Sequence, residues 1–470
     1  MSEKKYDIGI VGLGVMGRNL AMNIADHGFS VAGFDIDPAK VTEFEKEGSG
    51  STKATASAGE FASLLRRPQA FIMLVPAGKA VDSAINGILP HLEPGAIIID
   101  GGNSYYKDTD IRMKALAAKG MHFIGMGVSG GEEGARRGPS MMPGGNAEAY
   151  KQVRPILEAA AAKVDGEPCI TYLGPGSSGH YVKMVHNGIE YGLMELIAET
   201  YDLMKRYAGM NNDDLHTVYE AWSLGRAGSF LLEITAEIFL KNDEKTGGRL
   251  VDMVLDRAAQ KGTGKWTSQD AMDLQVPVPA IDAAVMMRAL SGNKREREEA
   301  AGILKGPVPS LKGDRQSFIQ QIGNALYFSM IAAYAQGMAL ISAASSAYGY
   351  GISLQSVARI WRGGCIIRAQ LLDEIARVYG KTPGPDNLML DPHMATLLSD
   401  GEQDLRRVIS RAVENGIPVP GLLSSLTYFD ALRSRRLPAN LIQAQRDYFG
   451  AHTYERTDSS GTFHTVWKKP

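Results

Sequence analysis

The sequence predicts an α/β protein: a doubly wound, mostly parallel N-terminal domain, a large all-helical domain after it, and a C-terminal tail. Three observations carry this. Residues 1–178 alternate strand and helix signals, the pattern of a parallel sheet covered by helices. Gly174-Pro175-Gly176-Ser177-Ser178-Gly179 then breaks the composition sharply. Residues 179–435 follow with helical periodicity and almost no strand signal, and residues 436–470 lack the apolar spacing of a core of their own.

The elements follow in order. Tyr6-Asp7-Ile8-Gly9-Ile10-Val11 reads as a buried strand, and Gly12-Leu13-Gly14-Val15-Met16-Gly17 follows at once. Residues 18–27 are helical and Gly28 stops them. Strand, G-x-G-x-x-G, helix is the context of a Rossmann-type dinucleotide site. Gly12 serves the tight turn, Gly14 close approach of a pyrophosphate, and Gly17 helix–strand packing. The free N–H groups of the helix start suit the phosphates. Residues 30–34 read as the next strand. It runs into Asp35, placed where an acidic residue contacts the adenosine ribose. Further strands are expected at residues 70–75, 96–100, 122–125 and 170–173, with helices at 81–92, 109–119 and 147–162.

Two Gly-rich loops follow predicted strands: Asp100-Gly101-Gly102-Asn103-Ser104 and Val128-Ser129-Gly130-Gly131-Glu132-Glu133-Gly134. Ligands of open α/β sheets bind beyond the carboxyl ends of strands, and such loops offer backbone N–H groups to oxyanions. The helical region opens on His180-Tyr181-Val182-Lys183-Met184-Val185-His186-Asn187-Gly188-Ile189-Glu190-Tyr191. Lys183, His186, Asn187, Glu190 and Tyr191 fall at i, i+3, i+4, i+7 and i+8, one face of a helix. The other faces are apolar, so this stripe is buried and costly unless something satisfies it. A Lys183–Glu190 ion pair alone is the plainer account. The added His, Asn and Tyr favour a face turned to a ligand. Gln260-Lys261-Gly262-Thr263-Gly264-Lys265-Trp266-Thr267 is another anion-suited loop without the spacing of a P-loop. Arg288 and Arg446 lie in otherwise apolar helical stretches, where an Arg usually snorkels to water.

Composition narrows the class. The 470 residues imply two or three domains. With 44% hydrophobic and 22% charged residues, a soluble globular enzyme is expected. The net charge of −2 gives no reason to expect nucleic acid or an anionic membrane as partner. Cys169 and Cys365 form neither a disulfide framework nor a metal-ligand spacing, which fits a reducing cytoplasm and no bound metal. Met1-Ser2-Glu3-Lys4-Lys5 leads into a run too short for a signal-peptide core. The most apolar long segment, residues 325–347, is broken by Gln336 and several Ser and reads as a core helix. Lys294-Arg295-Glu296-Arg297-Glu298-Glu299 reads as a solvated helix face.

The chain resembles the 6-phosphogluconate dehydrogenases over essentially its full length. The resemblance rests on the glycine turn, Gly101–Asn103 and the Gly127–Gly134 loop, then on the Tyr181–Tyr191 segment, Lys261-Gly262-Thr263-Gly264-Lys265-Trp266-Thr267, and Ala444-Gln445-Arg446-Asp447-Tyr448-Phe449-Gly450-Ala451-His452. It implies Lys183 as base and Glu190 as acid. It implies substrate contacts at Asn103, Ser129, Gly130, Gly131, His186, Asn187, Tyr191, Lys261, Arg288, Arg446 and His452. It places the cofactor against Gly12, Leu13, Gly14, Val15, Met16, Gly17, Asp35, Val75, Pro76, Ala77 and Asn103. It also implies a homodimer whose tail, residues 436–470, reaches the partner's site; no metal is expected, because a Lys183 ammonium can act as the electrophile and no ligand cluster appears in the sequence.

One departure from the family pattern bears on the cofactor. Many members end the second strand with Asn-Arg-Ser or Asn-Arg-Thr, which hold the 2′-phosphate of NADP. Here the residues are Asp35-Ile36-Asp37, and a later segment that usually reads Val-Lys-Ala-Gly is Val75-Pro76-Ala77-Gly78. Two positive charges are replaced by two negative ones elsewhere in the site, so NAD is expected, with NADP as the alternative. Two other readings remain: a short-substrate β-hydroxyacid dehydrogenase, which would lack the long helical domain and the tail, and a non-catalytic dinucleotide-binding protein.

Overall fold

A computed structural model describes residues 5–48, 50–381 and 384–467. Residues 1–4 of the N-terminal run discussed above lie outside the described residues. By compactness the chain divides into Met1–Ser425 and Leu426–Pro470.

The first unit begins with a seven-stranded sheet of order β3-β2-β1-β4-β5-β6-β7. The strands are β1 Ile8–Val11, β2 Val31–Phe34, β3 Thr52–Thr55, β4 Ala70–Met73, β5 Ile97–Asp100, β6 His122–Ser129 and β7 Ser140–Gly145. All neighbours pair in parallel except β6 and β7. The intervening helices are α1 Val15–Asp26, α2 Pro38–Glu47, α3 Ala58–Leu64, α4 Lys79–Ile88, α5 Tyr106–Ala117, α6 Gly131–Arg137 and α7 Ala147–Ala160. They cover both faces. One apolar core holds Ile8, Ile10, Ile72 and Ile99 under α1 and α7; the other holds Val11, Phe71 and Ile98 under α3 and α4. The order reverses between β1 and β4, so the carboxyl ends of those two strands open a crevice.

Three sequence readings are corrected here. Residues 170–173 form no strand: Ile170 makes a single bridge to Met141. The segment still runs beside β7, with Met141 N–H bonding Cys169 O and Leu173 N–H bonding Pro143 O. Pro143 has no N–H to give between those two bonds, so the ladder breaks. The loop expected at residues 128–134 shrinks to Gly130, because β6 runs to Ser129 and α6 starts at Gly131. The loop expected at residues 260–267 keeps only its first half as a turn. Gly262 (φ +102°) starts a helix there, burying Thr263 and Thr267.

A strand–helix pair, β3 with α2, and the edge strand β7 were not legible. Thr52-Lys53-Ala54-Thr55 is a polar edge strand, and Ser140-Met141-Met142-Pro143-Gly144-Gly145 reads as a turn.

After a small hairpin, β8 Lys163–Val164 and β9 Glu167–Pro168, the chain turns helical. The helices are α8 Ser178–Asp202, α9 Asn212–Leu224, α10 Phe230–Leu240, α11 Thr263–Asp273, α12 Pro279–Gly292, α13 Lys294–Ile303, α14 Arg315–Ala347, α15 Leu354–Trp361, α16 Leu371–Tyr379, α17 Pro392–Glu414 and α18 Pro420–Leu432. Helix α14 is long and apolar enough to cross a membrane by composition, yet 89% of its most apolar window is buried in the protein. Its Gln336 is fully buried and accepts the Ala280 N–H at the start of α12 (2.9 Å). Within α13 the charged run faces water except where Lys294 and Arg297 bond Asp256 (2.8 and 2.9 Å).

Helix α8 reaches the sheet through glycine. A Cβ on Gly127 would lie 2.2 Å from Lys183 Cβ, and one on Gly179 would lie 2.2 Å from Gly125 O and Met142 O. Only hydrogen at these positions lets the helix lie this close to β6 and β7. On its far side Asp270 of α11 is buried and accepts the hydroxyls of Tyr106, Tyr181 and Tyr348, tying α5, α8, α11 and the end of α14 together.

The second unit contains helix α19 Ala439–Gly450 and a small hairpin, β10 Tyr454–Glu455 with β11 Thr462–Phe463. It is organised by a carboxylate rather than an apolar core. Asp447, fully buried, accepts Thr453 N–H (3.0 Å), Thr465 N–H (3.0 Å), Trp467 Nε1–H (2.8 Å) and His464 Nδ1–H (2.8 Å).

Candidate active site

The crevice between β1 and β4 is a cleft of about 550 Å³. Gly12, Gly14, Asp35, Val75 and Pro76 line it, together with Ile36 and Lys40. Gly12 holds φ +92°, and a Cβ there would strike Leu74 O at 2.7 Å. A Cβ on Gly17 would fall 1.8 Å from Gly12 O, so this glycine closes the strand–helix joint. A Cβ on Gly14 would meet nothing within 4 Å. No protein atom fills that space, and α1 starts there with no side-chain cap and no acidic residue in its first turn. The uncapped N–H groups and the open space fit the pyrophosphate of a dinucleotide. Leu13 is turned into the core, Met16 packs partly against it, and Val15 and Ala77 are exposed.

Asp35 ends β2 and is buried. Its Oδ2 accepts Leu13 N–H (2.8 Å) and its Oδ1 accepts Asp37 N–H (2.9 Å). Lys40 Nζ lies 3.5 Å from Oδ2. Asp37 caps α2 through Ala39 N–H (2.9 Å), with Pro38 at the first helical position. Its carboxylate therefore serves the helix, and the charged pair lining the cleft is Asp35 with Lys40. The outer wall is the stripe Ala80, Ser83, Ala84 and Gly87 on α4. Small residues at i, i+3, i+4 and i+7 were a readable signal that the sequence analysis passed over.

The α8 stripe forms a second part of the site. Lys183, His186, Asn187 and Tyr191 are buried, and the Glu190 side chain is 21% exposed. His186 Nδ1 lies 3.0 Å from Asn187 Oδ1, an acceptor, so Nδ1 carries the proton. Its Nε2 then accepts from Ser129 Oγ at the end of β6 (3.2 Å). Lys183 Nζ lies 3.5 Å from that same Nδ1–H, a contact suited to a neutral amine. Burial pushes the Lys183 ammonium below its ordinary pKa, and the nearby Glu190 charge opposes this. Burial holds His186 well below its usual value, with Lys183 adding to the effect. Burial raises Glu190, against Lys183 and Arg288. The helix thus carries a lysine driven toward neutrality and a carboxyl driven toward protonation, two turns apart on one face.

The other expected residues surround this face. Asn187 Nδ2 donates to Thr263 Oγ1 (3.2 Å), which the sequence analysis had not singled out. Gly264 packs under Tyr191: a Cβ there would lie 2.5 Å from the ring. Arg288 stacks on the Tyr191 ring (3.5 Å to its centroid) and donates to Ala259 O (3.3 Å), two residues before the exposed Lys261. Gly130 and Gly131 (φ +123° and +63°) join Ser129 to α6. Residues 363–366 close over them: a Cβ on Gly130 would meet Gly364 O at 2.6 Å, and Ile366 N–H points to Ser129 Oγ (3.4 Å). Nothing in the spacing marked that loop. Asn103 is exposed on the Gly101–Ser104 turn. Arg446 and His452 belong to the second unit, where Arg446 bonds Gln443 (3.1 Å) and His452 lies between two positive-φ residues, Ala451 and Thr453.

Comparison with known proteins agrees with these two parts. The model of the NAD binding domain of 6-phosphogluconate dehydrogenase matches residues 7–174, and that of the 6-phosphogluconate dehydrogenase C-terminal domain matches residues 179–467. "6-phosphogluconate dehydrogenase, NADP(+)-dependent, decarboxylating" of Bacillus subtilis (strain 168) is 53% identical over 467 residues, covering 99% of this chain and 100% of that protein. A decarboxylating 6-phosphogluconate dehydrogenase of Synechococcus elongatus is 52% identical over 98% of both chains. The structure of the Plasmodium falciparum 6-phosphogluconate dehydrogenase superposes with TM-score 0.94 at 43% identity, covering 98% of this chain and 100% of that one. This chain belongs to the 6-phosphogluconate dehydrogenase family.

Proposed function

We propose that the protein oxidises and decarboxylates 6-phospho-D-gluconate to D-ribulose 5-phosphate and CO₂, reducing NAD in preference to NADP. The observation that carries this is the buried Lys183 and the partly buried Glu190 on one helix face, shifted in opposite directions. Neutral Lys183 takes the proton of the C3 hydroxyl as the C3 hydride leaves. A nicotinamide dinucleotide, which Gly12, Gly14, Asp35, Val75 and Pro76 would hold, would supply the hydride acceptor. Lys183, now an ammonium, donates to the new C3 ketone, so the electrons released as C1 departs as CO₂ are held as an enol. Glu190, whose protonated form burial favours, delivers its proton to the carbon that becomes C1 of the product as Lys183 takes back the enol proton. Ser129, Asn187 and the neutral His186 position the sugar, Gly130 and Gly131 present backbone N–H groups, and Asn103 stands between sugar and cofactor. Tyr191, Lys261 and Arg288 bind the phosphate end.

The protein acts as a cytoplasmic homodimer in this reading. Arg446 and His452 of the tail, residues 436–470, complete the phosphate site of the partner, and residues 1–178 and 179–435 act as the cofactor and substrate domains. The exposed apolar residues Met253, Val254 and Leu255, a few residues before Lys261 in the chain, suit burial by a second copy.

The cofactor preference rests on Asp35. A 2′-phosphate carries roughly −1.5 to −2 charge. It would meet a carboxylate already at the strand end, no cation at the exposed Ile36, and only Lys40 to offset it. Two unit charges about 4 Å apart repel by ~4 kcal/mol at an effective dielectric near 20, before Lys40 and screening reduce it. Discrimination of about tenfold to a few tens-fold is expected. Reduced-cofactor formation from 6-phosphogluconate tests both halves. No turnover with either cofactor refutes the activity, and an equal or higher kcat/KM with NADP refutes the preference.

A further inference from the structure

His180 lies one turn before Lys183 on α8 and is buried. Both ring nitrogens are engaged outside its own helix. Nε2 stands 3.0 Å from the Asp100 carbonyl and Nδ1 stands 2.6 Å from Thr109 Oγ1. A carbonyl only accepts, so Nε2 carries the proton and Nδ1 accepts from the Thr109 hydroxyl. The groups facing the ring, Asp100 and Arg112, pull its basicity in opposite directions, and burial keeps it neutral. His180 is therefore a fixed donor to the backbone at the end of β5.

That backbone begins the turn carrying Asn103. Asp100 folds the turn with its own carboxylate, Oδ1 accepting Gly102 N–H (3.1 Å) and Oδ2 accepting Ser104 Oγ–H (2.6 Å). On the other side sits Arg112 of α5, a guanidinium 7% exposed. It bonds Asp82 (2.7 Å) and Gly78 O (3.1 Å) and lies 3.8 Å from Asp100 Oδ2. Gly78 ends the segment that begins with Val75 and Pro76 of the cofactor cleft. The two turns also touch, since a Cβ on Gly102 would lie 3.2 Å from Val75 O. Hydrogen bonds, joined between Asp100 and Arg112 by the 3.8 Å ion pair, thus connect the lysine helix through His180 to the cofactor wall.

We infer that His180 is a positioning residue for hydride transfer: by donating to the Asp100 carbonyl it sets the distance between the sugar held on α8 and the cofactor held in the crevice between β1 and β4. The inference rests on the activity proposed above. It assigns His180 no contact with substrate or cofactor. Its loss should therefore slow the hydride step while leaving both ligands bound. Misplacing reacting atoms by about 1 Å can cost on the order of 100-fold in rate.

The test compares His180→Leu, which removes the donor, His180→Gln, which returns an N–H near the Nε2 position, and Thr109→Val, which removes the hydroxyl that holds the ring through Nδ1. For each, kcat, both KM values and the deuterium isotope effect with 3-deuterated 6-phosphogluconate are measured. In His180→Leu, kcat should fall about 10- to 100-fold, KM values should stay within about threefold, and the isotope effect should rise. His180→Gln should restore most of the rate, and Thr109→Val should move the same way by a smaller factor. If His180→Leu does not fold, His180→Gln and Thr109→Val decide: a wild-type rate in Gln with a slowed, isotope-sensitive Val supports the role. A Thr109→Val rate and isotope effect like wild type overturns it, as does Gln no better than Leu, or a loss confined to KM. Wild-type protein inactive on 6-phosphogluconate overturns the proposed activity and this inference together; active wild type with an unaffected isotope effect in the variants overturns this inference alone.

Discussion

The cofactor cleft and the α8 face are built by opposite means. The cleft is made of backbone: a positive-φ glycine, an uncapped helix start and open space at Gly14, with Asp35 as its buried charge. The α8 face is made of buried ionisable side chains whose pKa values burial has moved. The difference follows from what each must do. A pyrophosphate arrives already charged, and fixed N–H dipoles hold it without changing state. A proton must be taken and returned, which needs groups whose charged and neutral forms are close in free energy. Burying a lysine and a carboxyl against the sheet supplies this at a cost in stability.

If this division is right, single substitutions should separate the two regions. The largest effect is expected at Lys183. Lys183→Met should leave dinucleotide binding within a few-fold, measured by fluorescence titration with NADH, while turnover falls by about 10³- to 10⁴-fold, the upper end for one acid–base group. A variant keeping a tenth of the rate would remove Lys183 as the base.

Glu190→Gln should cost less, about 10²-fold, and should fall on the last proton transfer. Tritium entry from water into C1 of ribulose 5-phosphate would report it, and undiminished exchange would reject Glu190 as the acid. The pH profile sharpens the point. In the proposed mechanism the active form carries neutral Lys183 and protonated Glu190, so kcat/KM should be bell-shaped, rising with pH as Lys183 loses its proton and falling as Glu190 loses its own. Removing the Glu190 charge deletes the alkaline limb. Across the acid limb Glu190 is protonated and uncharged, so that limb should stay in place.

The smallest effect concerns the same helix away from the chemistry. Glu199 is buried and accepts Gly421 N–H (2.6 Å) and Leu422 N–H (2.9 Å) at the start of α18. Burial outweighs these bonds and raises its pKa to about 8. A carboxyl whose folded pKa lies above its unfolded value binds the proton more tightly when folded. Stability is then full below the unfolded pKa, near 4.5, and is lost as pH rises toward about 8, by at most ~1.4 kcal/mol per pH unit. Glu199→Gln should flatten the change in Tm between pH 5 and 8, and an unchanged slope would show that Glu199 does not titrate there.

The two regions also differed in how far the sequence disclosed them. The cleft was readable because its requirements are local: the turn, the helix start and the acidic strand end lie within residues 8–35 and follow from φ, the missing Cβ and the free N–H groups. The α8 stripe was readable as a face, since helical spacing alone gathers Lys183, His186, Asn187, Glu190 and Tyr191. Residues 170–173 had the apolar run of a strand, and only the missing N–H of Pro143 on a neighbouring segment stopped them from pairing.

The sequence by itself determined the glycine turn, the alternation that makes a doubly wound sheet and the polar face of the first long helix, because each depends on residues near one another in the chain. The tertiary structure alone decided which distant groups lie together. Asp37 capping α2 and Lys40 beside Asp35 are contacts between near neighbours in the chain, and the more distant ones were set by the fold. It brought Thr263 to Asn187, laid residues 363–366 over Gly130, and joined His180 to Asp100. These partners are separated by up to 237 residues in sequence. Their meeting depends on how closely α8 can approach the sheet over Gly125, Gly127 and Gly179, and the pKa shifts at the site come from the burial that this close packing produces.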